Sequence, residues 1–414
     1  MEKILRGNAV IGQSGGPTAA INATLSGVIR GAFAAPCIEK IFGMRNGVEG
    51  LLGERLVSLD YLAKDEEKLK ILEQTPAAAL GSCRKKLPDP HSNDPKDIAV
   101  FEKVFEVFKK NDIRYFFYIG GNDSMDTVAK LSEYSKKNQY EIRLVGVPKT
   151  IDNDLVGTDH TPGFGSAAKF IATTVREIVR DCSVYTQKSV TVVEIMGRDA
   201  GWLTASSAIG RMVDGCAPDY VYLPECPFDP ENFFTNIENL FKTKSGVVIA
   251  VSEGLLFADG RYVGEGSQSG SVDVFGHKYL SGTGKVLENM VRERLGCKVR
   301  SVELNLPQRC SGHLTSLTDI TESVRIGRAA AIAAAEGKSG IMMTFERSNA
   351  SEYYCDIKPK NVLEIANRTK YVPDDFITET KDNVTDECCK YLLPLICGEC
   401  DIKYSKGLPV HIII

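Results

Sequence analysis

The stretch AVIGQSGGPTAAINATLSGVIRGAF, residues 9–33, carries the pattern that decides the fold. Its apolar start, Ala9 to Ile11, leads into a polar turn rich in glycine, and a long stretch of Ala, Ile and Leu follows. Such a sequence is typical of a strand, a loop and a helix in an α/β protein with a parallel sheet. We therefore predict an α/β fold.

The same unit recurs along the chain. Further apolar runs end in polar or glycine-containing turns after Ile119, Val147, Ile195 and Val251. Open α/β sheets bind ligands at the carboxyl ends of their strands. The polar residues that follow these runs are therefore candidate site residues.

Length and charge limit the function classes. The 414 residues predict two or three domains. With 50 Lys and Arg against 54 Asp and Glu, the net charge of -4 gives no basic excess for nucleic acid or an anionic membrane. The N-terminus resembles no secretory signal and no run of 18 apolar residues occurs. We expect a cytoplasmic protein that holds anionic ligands at a local site.

Other segments give weaker signals. We expect Asp65 to Lys70 and Lys85 to Lys96 to form surface loops or short exposed helices, and Ser281 to Lys285 to form a flexible turn. The strand and helix pattern is lost after Lys338, and Asp374 to Cys389 predicts surface helices or an appendage.

The twelve cysteines do not predict disulfides in a cytoplasmic chain. The pattern Cys388, Cys389, Cys397 and Cys400 leaves a structural zinc site open. Adjacent cysteines rarely reach one ion, and no His-x-x-x-His partner is present, so packed and reduced cysteines are the favoured interpretation.

Two glycine motifs stand at predicted strand ends. Gly15 and Gly16 would let the backbone approach an anion closely, and Gly120-Gly121-Asn122-Asp123-Ser124 repeats that arrangement with polar side chains. A simple tight turn is the alternative for the first motif, and a helix N-cap is the alternative for Ser124.

The most specific stretch is PKTIDNDLVGTDHTPGFGSA, Pro148 to Ala167. Two nearby carboxylates, Asp152 and Asp154, would serve a cation or a proton, and Lys149 adds a positive charge beside them. An exposed salt-bridged loop is the alternative. The helix that follows Gly163 would begin where a phosphate could dock.

Taken together, the motifs QSGG at 13–16, GGNDS at 120–124, PKTIDND at 148–154, VVEIMGRDAGWL at 192–203 and PQR at 307–309 resemble the phosphofructokinase family over residues 8–345. The resemblance implies two Rossmann-like three-layer domains with parallel sheets and an active site in the cleft between them. It further implies a donor domain of residues 1–155 plus 308–367, and a sugar-phosphate domain of residues 156–307 plus 368–414 with a C-terminal appendage.

By this resemblance Asp152 would be the base that takes the proton from the sugar 1-hydroxyl, with Lys149 and Asp123 as further catalytic residues. The sugar phosphate would be bound by a larger set: Thr150, Asp152, Met196, Gly197, Arg198, Glu253, Arg309 and, from a neighbouring subunit, Arg300. The phosphoryl donor would be bound by Gly15, Arg84, Asp123, Ser124 and Lys149. Asn122 and Asp154 would hold Mg²⁺.

Family members use either ATP or pyrophosphate, and two positions bear on the choice. ATP users resemble GGDGS and PGTIDND, whereas this chain has Asp123 and Lys149 at the two variable glycines, and Thr127 at a position that is often glycine. A carboxylate would repel the α-phosphate of a nucleotide. The resemblance therefore implies pyrophosphate as the donor.

The sequence departs from the family pattern at two positions of the site. Asn122 replaces the usual aspartate, which keeps an oxygen ligand but removes a charge. Leu306 replaces the His or Tyr that often precedes Pro307, which leaves sedoheptulose 7-phosphate open as an acceptor.

The resemblance implies reversible phosphoryl transfer from pyrophosphate to fructose 6-phosphate in glycolysis. An ATP-dependent enzyme of the same fold and a non-catalytic regulatory subunit that binds sugar phosphates are the alternatives. Because Arg300 would act across an interface, a homodimer or homotetramer is expected.

Overall fold

A computed structural model describes residues 4–267 and 282–414. Within these ranges the strands are β1 (Gly7–Gln13), β2 (Ile38–Met44), β3 (Leu56–Ser58), β4 (Ile113–Gly120), β5 (Arg143–Pro148), β6 (Ser189–Ile195), β7 (Tyr220–Tyr222), β8 (Gly246–Ser252), β9 (Lys298–Glu303), β10 (Ile341–Arg347), β11 (Cys355–Asn361), β12 (Tyr404–Ser405) and β13 (Leu408–Pro409).

The α-helices of the same ranges are α1 (Ile21–Ala34), α2 (Gly47–Leu52), α3 (Asp60–Ala63), α4 (Glu66–Glu73), α5 (Pro95–Lys110), α6 (Asn122–Lys137), α7 (Phe164–Cys182), α8 (Trp202–Ser206), α9 (Pro230–Leu240), α10 (Thr283–Leu295), α11 (Pro307–Cys310), α12 (Leu317–Ala335) and α13 (Asp386–Leu392). None of the helices described is both long enough and apolar enough to cross a membrane.

Two sheets organise the molecule. The first has the order β11-β10-β5-β4-β1-β2-β3, and the second has the order β7-β8-β6-β9. The second sheet is parallel throughout, whereas the first carries antiparallel strands β3 and β11 at its edges. The predicted α/β fold is confirmed, and its first sheet is mixed at the edges.

Alternating strand residues bury opposite faces of the first sheet. Phe117 faces the core under α1 and α12, and its neighbours Phe116 and Tyr118 face the core under α5 and α6. The second sheet is covered in the same way by α7 and α8 on one face and by α9 and α10 on the other. Helices on both faces make each sheet the middle of three layers.

The structure differs from three predictions made for the C-terminal third of the chain. The pattern is not lost after Lys338, because β10 pairs in parallel with β5 inside the first sheet. The expectation of an appendage is wrong for α13, whose Cys388, Cys389 and Leu392 are buried in the core beside α7. The predicted turn before Lys285 is instead the start of α10, and its first residue, Ser281, lies outside the described residues.

The end of the chain returns to the first sheet. Gln74 Nε2 donates a 2.7 Å hydrogen bond to the Asp401 carbonyl, and the Ile412 amide donates to Thr75 Oγ1 over 3.1 Å. Ile412 and Ile414 pack against the core under α1. The boundaries given above for the two domains stay a prediction.

Candidate active site

A cleft of about 1010 Å³ opens where the carboxyl ends of the two sheets face each other. Of the residues predicted from sequence, those that line it are Gly15, Arg84, Asn122, Asp123, Ser124, Lys149, Thr150, Asp152, Asp154, Met196, Arg198, Glu253 and Arg309. Strand ends from both sheets therefore bring together segments that are far apart in the chain.

One wall is the donor loop, which we define as residues 14–17 after β1. Gly15 has a left-handed φ of +77°, its amide donates to the Cys83 carbonyl, and its carbonyl accepts a 2.6 Å bond from Ser82 Oγ. Helix α1 begins only at Ile21, so the backbone of the loop, rather than the helix start, borders the cleft.

Lys149 lies directly behind this loop. Its side chain is buried, and Nζ donates a 2.5 Å hydrogen bond to the Gly16 carbonyl. A Cβ added to Gly15 would lie 3.4 Å from that ammonium, and a Cβ added to Gly16 would lie 3.5 Å from Arg309 Nη1. Two cations therefore lie close to the backbone that borders the cleft, and Gly15 is required by its left-handed φ rather than by lack of space.

Burial lowers the pKa of Lys149 to about 8, and the nearby Asp152 carboxylate opposes that shift. Burial also lowers the pKa of Arg309, and the charge of Arg84 adds to the effect. Cations crowded together at low solvent exposure repel one another unless an anion joins them. This wall is therefore built to receive an anionic ligand.

Helix α6 begins at the cleft, directly after Gly121. Asn122, Asp123 and Ser124 form its first turn, and Asp123 pairs with Lys86 over 3.0 Å. Ser124 is not the N-cap, as the alternative held, but the third residue of the helix. Its Oγ would lie 1.8 Å from a Cβ on Gly120, so that glycine is required by packing. Residues 85–94 form the expected surface loop, in which Lys86 is exposed, and α5 begins at Pro95.

The residues that follow β5 form the catalytic loop, defined here as residues 151–159. Asp152 lies at its start, where the Asp152 amide donates to Thr150 Oγ1 over 3.1 Å. Burial raises the pKa of Asp152, and burial together with the Asp152 charge raises the pKa of Asp154 to about 7. Two shielded carboxylates at one site favour a bound cation.

The surroundings of Asn122 test whether the site fits a cation. Its amide nitrogen donates to the Arg368 carbonyl over 3.1 Å, which leaves Asn122 Oδ1 buried without a hydrogen-bond partner among the described residues. An unsatisfied oxygen in the same cleft as the shielded Asp154 carboxylate is the oxygen-ligand chemistry that Mg²⁺ prefers. Asn122 and Asp154 therefore fit a divalent cation.

The helix after the catalytic loop does not offer a phosphate site. The Asp319 carboxylate caps α7, accepting 2.9 Å bonds from the amides of Gly163 and Ser166 and a 2.5 Å bond from Ser166 Oγ. The expectation that a phosphate docks at this helix start is wrong, because a buried side chain already supplies the negative charge.

The opposite wall comes from the second sheet. Met196 and Arg198 follow β6, and Glu253 follows the neighbouring strand β8. Glu253 Oε1 accepts the Gly197 amide at 3.3 Å, so the Gly197 backbone orients the glutamate, although Gly197 itself does not line the cleft. Arg198 Nε bonds to Asp199 over 3.2 Å.

Two of the cleft residues that the sequence reasoning missed make hydrogen bonds that shape the site. Gln308 is buried, and its Oε1 accepts the Met196 amide over 3.2 Å, so it joins α11 to the strand end. Glu194 accepts the Gly282 amide over 3.2 Å and the Gly284 amide over 2.7 Å at the start of α10. Both lie inside quoted motifs, but a motif does not say which of its residues turn toward a cleft.

Arg300 is not brought into the cleft of its own chain. It lies exposed on β9, opposite Thr191 of β6. Its predicted role across a subunit interface stays a prediction.

Gly254 provides a test of the wall that Met196, Arg198 and Glu253 form. A Cβ at this position would lie 1.9 Å from the Arg198 carbonyl. We expect Gly254→Ala to displace Arg198 and to weaken ligand binding at this wall, which would raise KM by about tenfold or more in steady-state assays. Gly53→Ala is the control, because Gly53 lies outside the cleft, has an ordinary φ of -88°, and would bring its added Cβ no closer than 3.3 Å to the Glu49 carbonyl. An unchanged KM in folded Gly254→Ala would contradict the expectation.

The shifted carboxyls also predict the pH dependence of stability. Burial, reinforced by the Asp152 charge, raises the pKa of Glu253 to about 8 from an ordinary 4.5, and burial raises the pKa of Glu194 to about 7. Between about pH 4.5 and about pH 8 the folded chain therefore binds more protons than the unfolded chain. The stabilisation is complete below the ordinary pKa and is lost as pH rises through the folded pKa.

We therefore expect the melting temperature of the ligand-free protein to fall between about pH 6 and about pH 8. Glu253→Gln should make that fall smaller, since its amide does not titrate. Calorimetry of both proteins at the two pH values measures the difference, and equal falls would count against the shifted pKa of Glu253.

The fold and cleft define an α/β protein with an anion-binding site between two sheets. The family model described as Phosphofructokinase matches residues 8–334, and the chain belongs to that family. Two curated relatives bear the name pyrophosphate–fructose 6-phosphate 1-phosphotransferase. That of Halomonas elongata is 39% identical over 97% of this chain and 94% of its own, and that of Methylococcus capsulatus is 39% identical over 98% and 95%.

A solved structure supports the same relationship. The pyrophosphate-dependent phosphofructokinase of Nitrosospira multiformis is 36% identical, covers 98% of this chain and 96% of its own, and superposes with a TM-score of 0.87. Both the resemblance seen in the motifs and the fold that it implied are confirmed.

Proposed function

We propose that this protein transfers a phosphoryl group from pyrophosphate to the 1-hydroxyl of fructose 6-phosphate, reversibly, giving fructose 1,6-bisphosphate and phosphate. The observation that carries the proposal is the buried Lys149 ammonium, 2.5 Å from the Gly16 carbonyl and behind the donor loop. Full-length relatives named for this reaction support it.

The donor side favours a small, highly charged donor. The ammonium of Lys149 lies behind the donor loop and Arg84 lines the same cleft, so both would neutralise pyrophosphate. Asp123, paired with Lys86, lines the same side and would repel the α-phosphate of a nucleotide. The ATP-dependent alternative would need that carboxylate to move.

In the reaction, Asp152 would accept the proton of the sugar 1-hydroxyl while that oxygen forms its bond to phosphorus and the bond to the leaving phosphate breaks. Met196, Arg198 and Glu253 would orient the sugar from the opposite wall. Arg309 would hold the 6-phosphate, together with Arg300 of a neighbouring subunit. Asn122 and Asp154 would hold Mg²⁺, which supplies charge neutralisation on the phosphates when bound.

Donor choice is the test of this function. Initial rates with pyrophosphate and with ATP are measured in the presence of Mg²⁺, for the wild type and for Asp123→Gly combined with Lys149→Gly. We expect the wild type to prefer pyrophosphate and the double variant to lose that preference. A wild type that is faster with ATP would overturn the proposal, and a purified chain without turnover would favour the regulatory alternative.

One observation favours a second acceptor. Leu306 lines the cleft with 53% of its surface exposed and offers no hydrogen bond at the place where relatives often carry His or Tyr. We propose that sedoheptulose 7-phosphate is also phosphorylated. Comparison of kcat/KM for the two sugars, in the wild type and in Leu306→His, tests this, and a wild type inactive with the longer sugar would exclude it.

We also propose that the enzyme works as a homo-oligomer in the cytoplasm. The exposed position of Arg300, outside its own cleft, supports a role for that residue in a second subunit. Light scattering of the purified protein distinguishes a monomer from a dimer or tetramer.

A further inference from the structure

A short segment near the C-terminus, residues 368–372, contacts both walls of the cleft. We call it the strap. On the side of α6, the Arg368 carbonyl accepts a hydrogen bond from Asn122 Nδ2. At the catalytic loop, Thr369 forms a β-bridge with Leu155, and the Lys370 amide donates to the Asp154 carbonyl. Near α8, the Lys370 carbonyl accepts from Trp202 Nε1, and the Val372 amide donates to Glu225 Oε1.

The Lys370 side chain lies beneath the catalytic loop. Its Nζ donates to Asn153 Oδ1 over 3.1 Å, to the Thr158 carbonyl over 3.3 Å and to the Asp159 carbonyl over 2.7 Å. A lysine ammonium has three donors, so all three are used on this one loop. The ammonium also lies 5.1 Å from the centre of the Trp202 ring.

These three acceptors belong to opposite ends of the catalytic loop. Asn153 directly follows Asp152 and has a left-handed φ of 54°, and Thr158 and Asp159 close the loop. The far end is held independently, because Arg347 pairs with Asp159 over 3.0 Å and the Asp159 carbonyl accepts Tyr391 Oη over 2.8 Å. Lys370 therefore ties the start of the loop, beside Asp152, to its anchored end.

We propose that Lys370 is a positioning residue for phosphoryl transfer: by joining Asn153 to Thr158 and Asp159, it holds the carboxylates of Asp152 and Asp154 toward the cleft. The inference rests on the proposed function. Lys370 does not line the cleft, so it acts through the loop and not on the substrate. Loss of its ammonium would release the base while the sugar-side wall of Met196 and Glu253 stays in place.

Lys169 offers a matched control. It is a second lysine whose three donors are all used, with bonds of 3.2 Å to the Thr315 carbonyl, 2.7 Å to the Gly398 carbonyl and 3.0 Å to Glu399 Oε1. It does not line the cleft. Lys169→Met and Lys370→Met therefore remove the same kind of clamp, but only Lys370→Met affects the catalytic loop.

The test uses the full chain and two readouts. Hydrogen exchange of the metal-free protein, followed by mass spectrometry, reports on the peptide that spans the catalytic loop. Steady-state rates with pyrophosphate report kcat and KM for fructose 6-phosphate. For Lys370→Met we expect exchange in that peptide about tenfold faster or more, kcat lower by about a hundredfold, and KM within about threefold of wild type.

The proposal would be overturned by unchanged exchange in the loop peptide, by a kcat no lower than that of Lys169→Met, or by a loss confined to KM. If Lys370→Met does not fold, Lys370→Gln takes its place. Its side chain is shorter and keeps an amide donor, and the same changes in exchange, kcat and KM are expected. A wild type without pyrophosphate-dependent turnover would instead refute the proposed function, and the exchange measurement would still test the loop clamp.

Discussion

Replacement of Asp152 by asparagine is expected to lower kcat by about a thousandfold, with KM for fructose 6-phosphate changed by less than about threefold. Asp152 lines the cleft at the start of the catalytic loop, between the cations behind the donor loop and the sugar-side Glu253. Asparagine keeps the size and the hydrogen bonds of the side chain, but it cannot accept the proton of the sugar hydroxyl.

The same substitution should leave stability unchanged or increase it. Burial raises the pKa of Asp152, so its charged form is disfavoured in the fold, and its charge also raises the pKa values of Asp154 and Glu253. A neutral amide removes that repulsion. Single-turnover rates and a thermal melt of the purified variant measure both effects. A kcat near that of wild type would remove Asp152 from the role of base.

Much of this site could be predicted from sequence because strand ends are local features. The apolar runs before Gln13, Gly120 and Pro148 matched strands β1, β4 and β5, and the polar residues after them reached one cleft. In a parallel sheet these ends meet at one edge, so the juxtaposition follows from the fold class. The family resemblance added roles to residues that the pattern had already placed.

The features that were missed depend on contacts between distant parts of the chain. Lys370 and Asn153 are 217 residues apart, and Asp319 caps α7 at a separation of 156 residues from Gly163. No local pattern records such pairs. Gly27 and Gly327 are a further example: they serve the close crossing of α1 and α12, where an added Cβ would lie 2.2 Å from the Val324 carbonyl or 2.3 Å from the Thr24 carbonyl.

Replacement of Lys149 by methionine is expected to lower kcat/KM for pyrophosphate by about a thousandfold. The buried Lys149 ammonium lies behind the donor loop and donates to the Gly16 carbonyl of that loop. Charge stabilisation by a preorganised cation is strongest where water is excluded. Methionine fills the same space without the charge, so the effect should fall on the donor more than on fructose 6-phosphate.

The melting temperature distinguishes a lost interaction with the donor from unfolding of the Lys149→Met variant. Because burial holds the pKa of Lys149 at about 8, well below its ordinary 10.5, the charged side chain destabilises the ligand-free fold near neutral pH. Lys149→Met should therefore melt at or above the wild-type temperature, whereas Lys169→Met, which removes a lysine with three hydrogen bonds, should melt lower. A folded Lys149→Met that kept wild-type kcat/KM for pyrophosphate would show that the backbone of Gly15 and Gly16, together with Arg84, suffices to hold the donor.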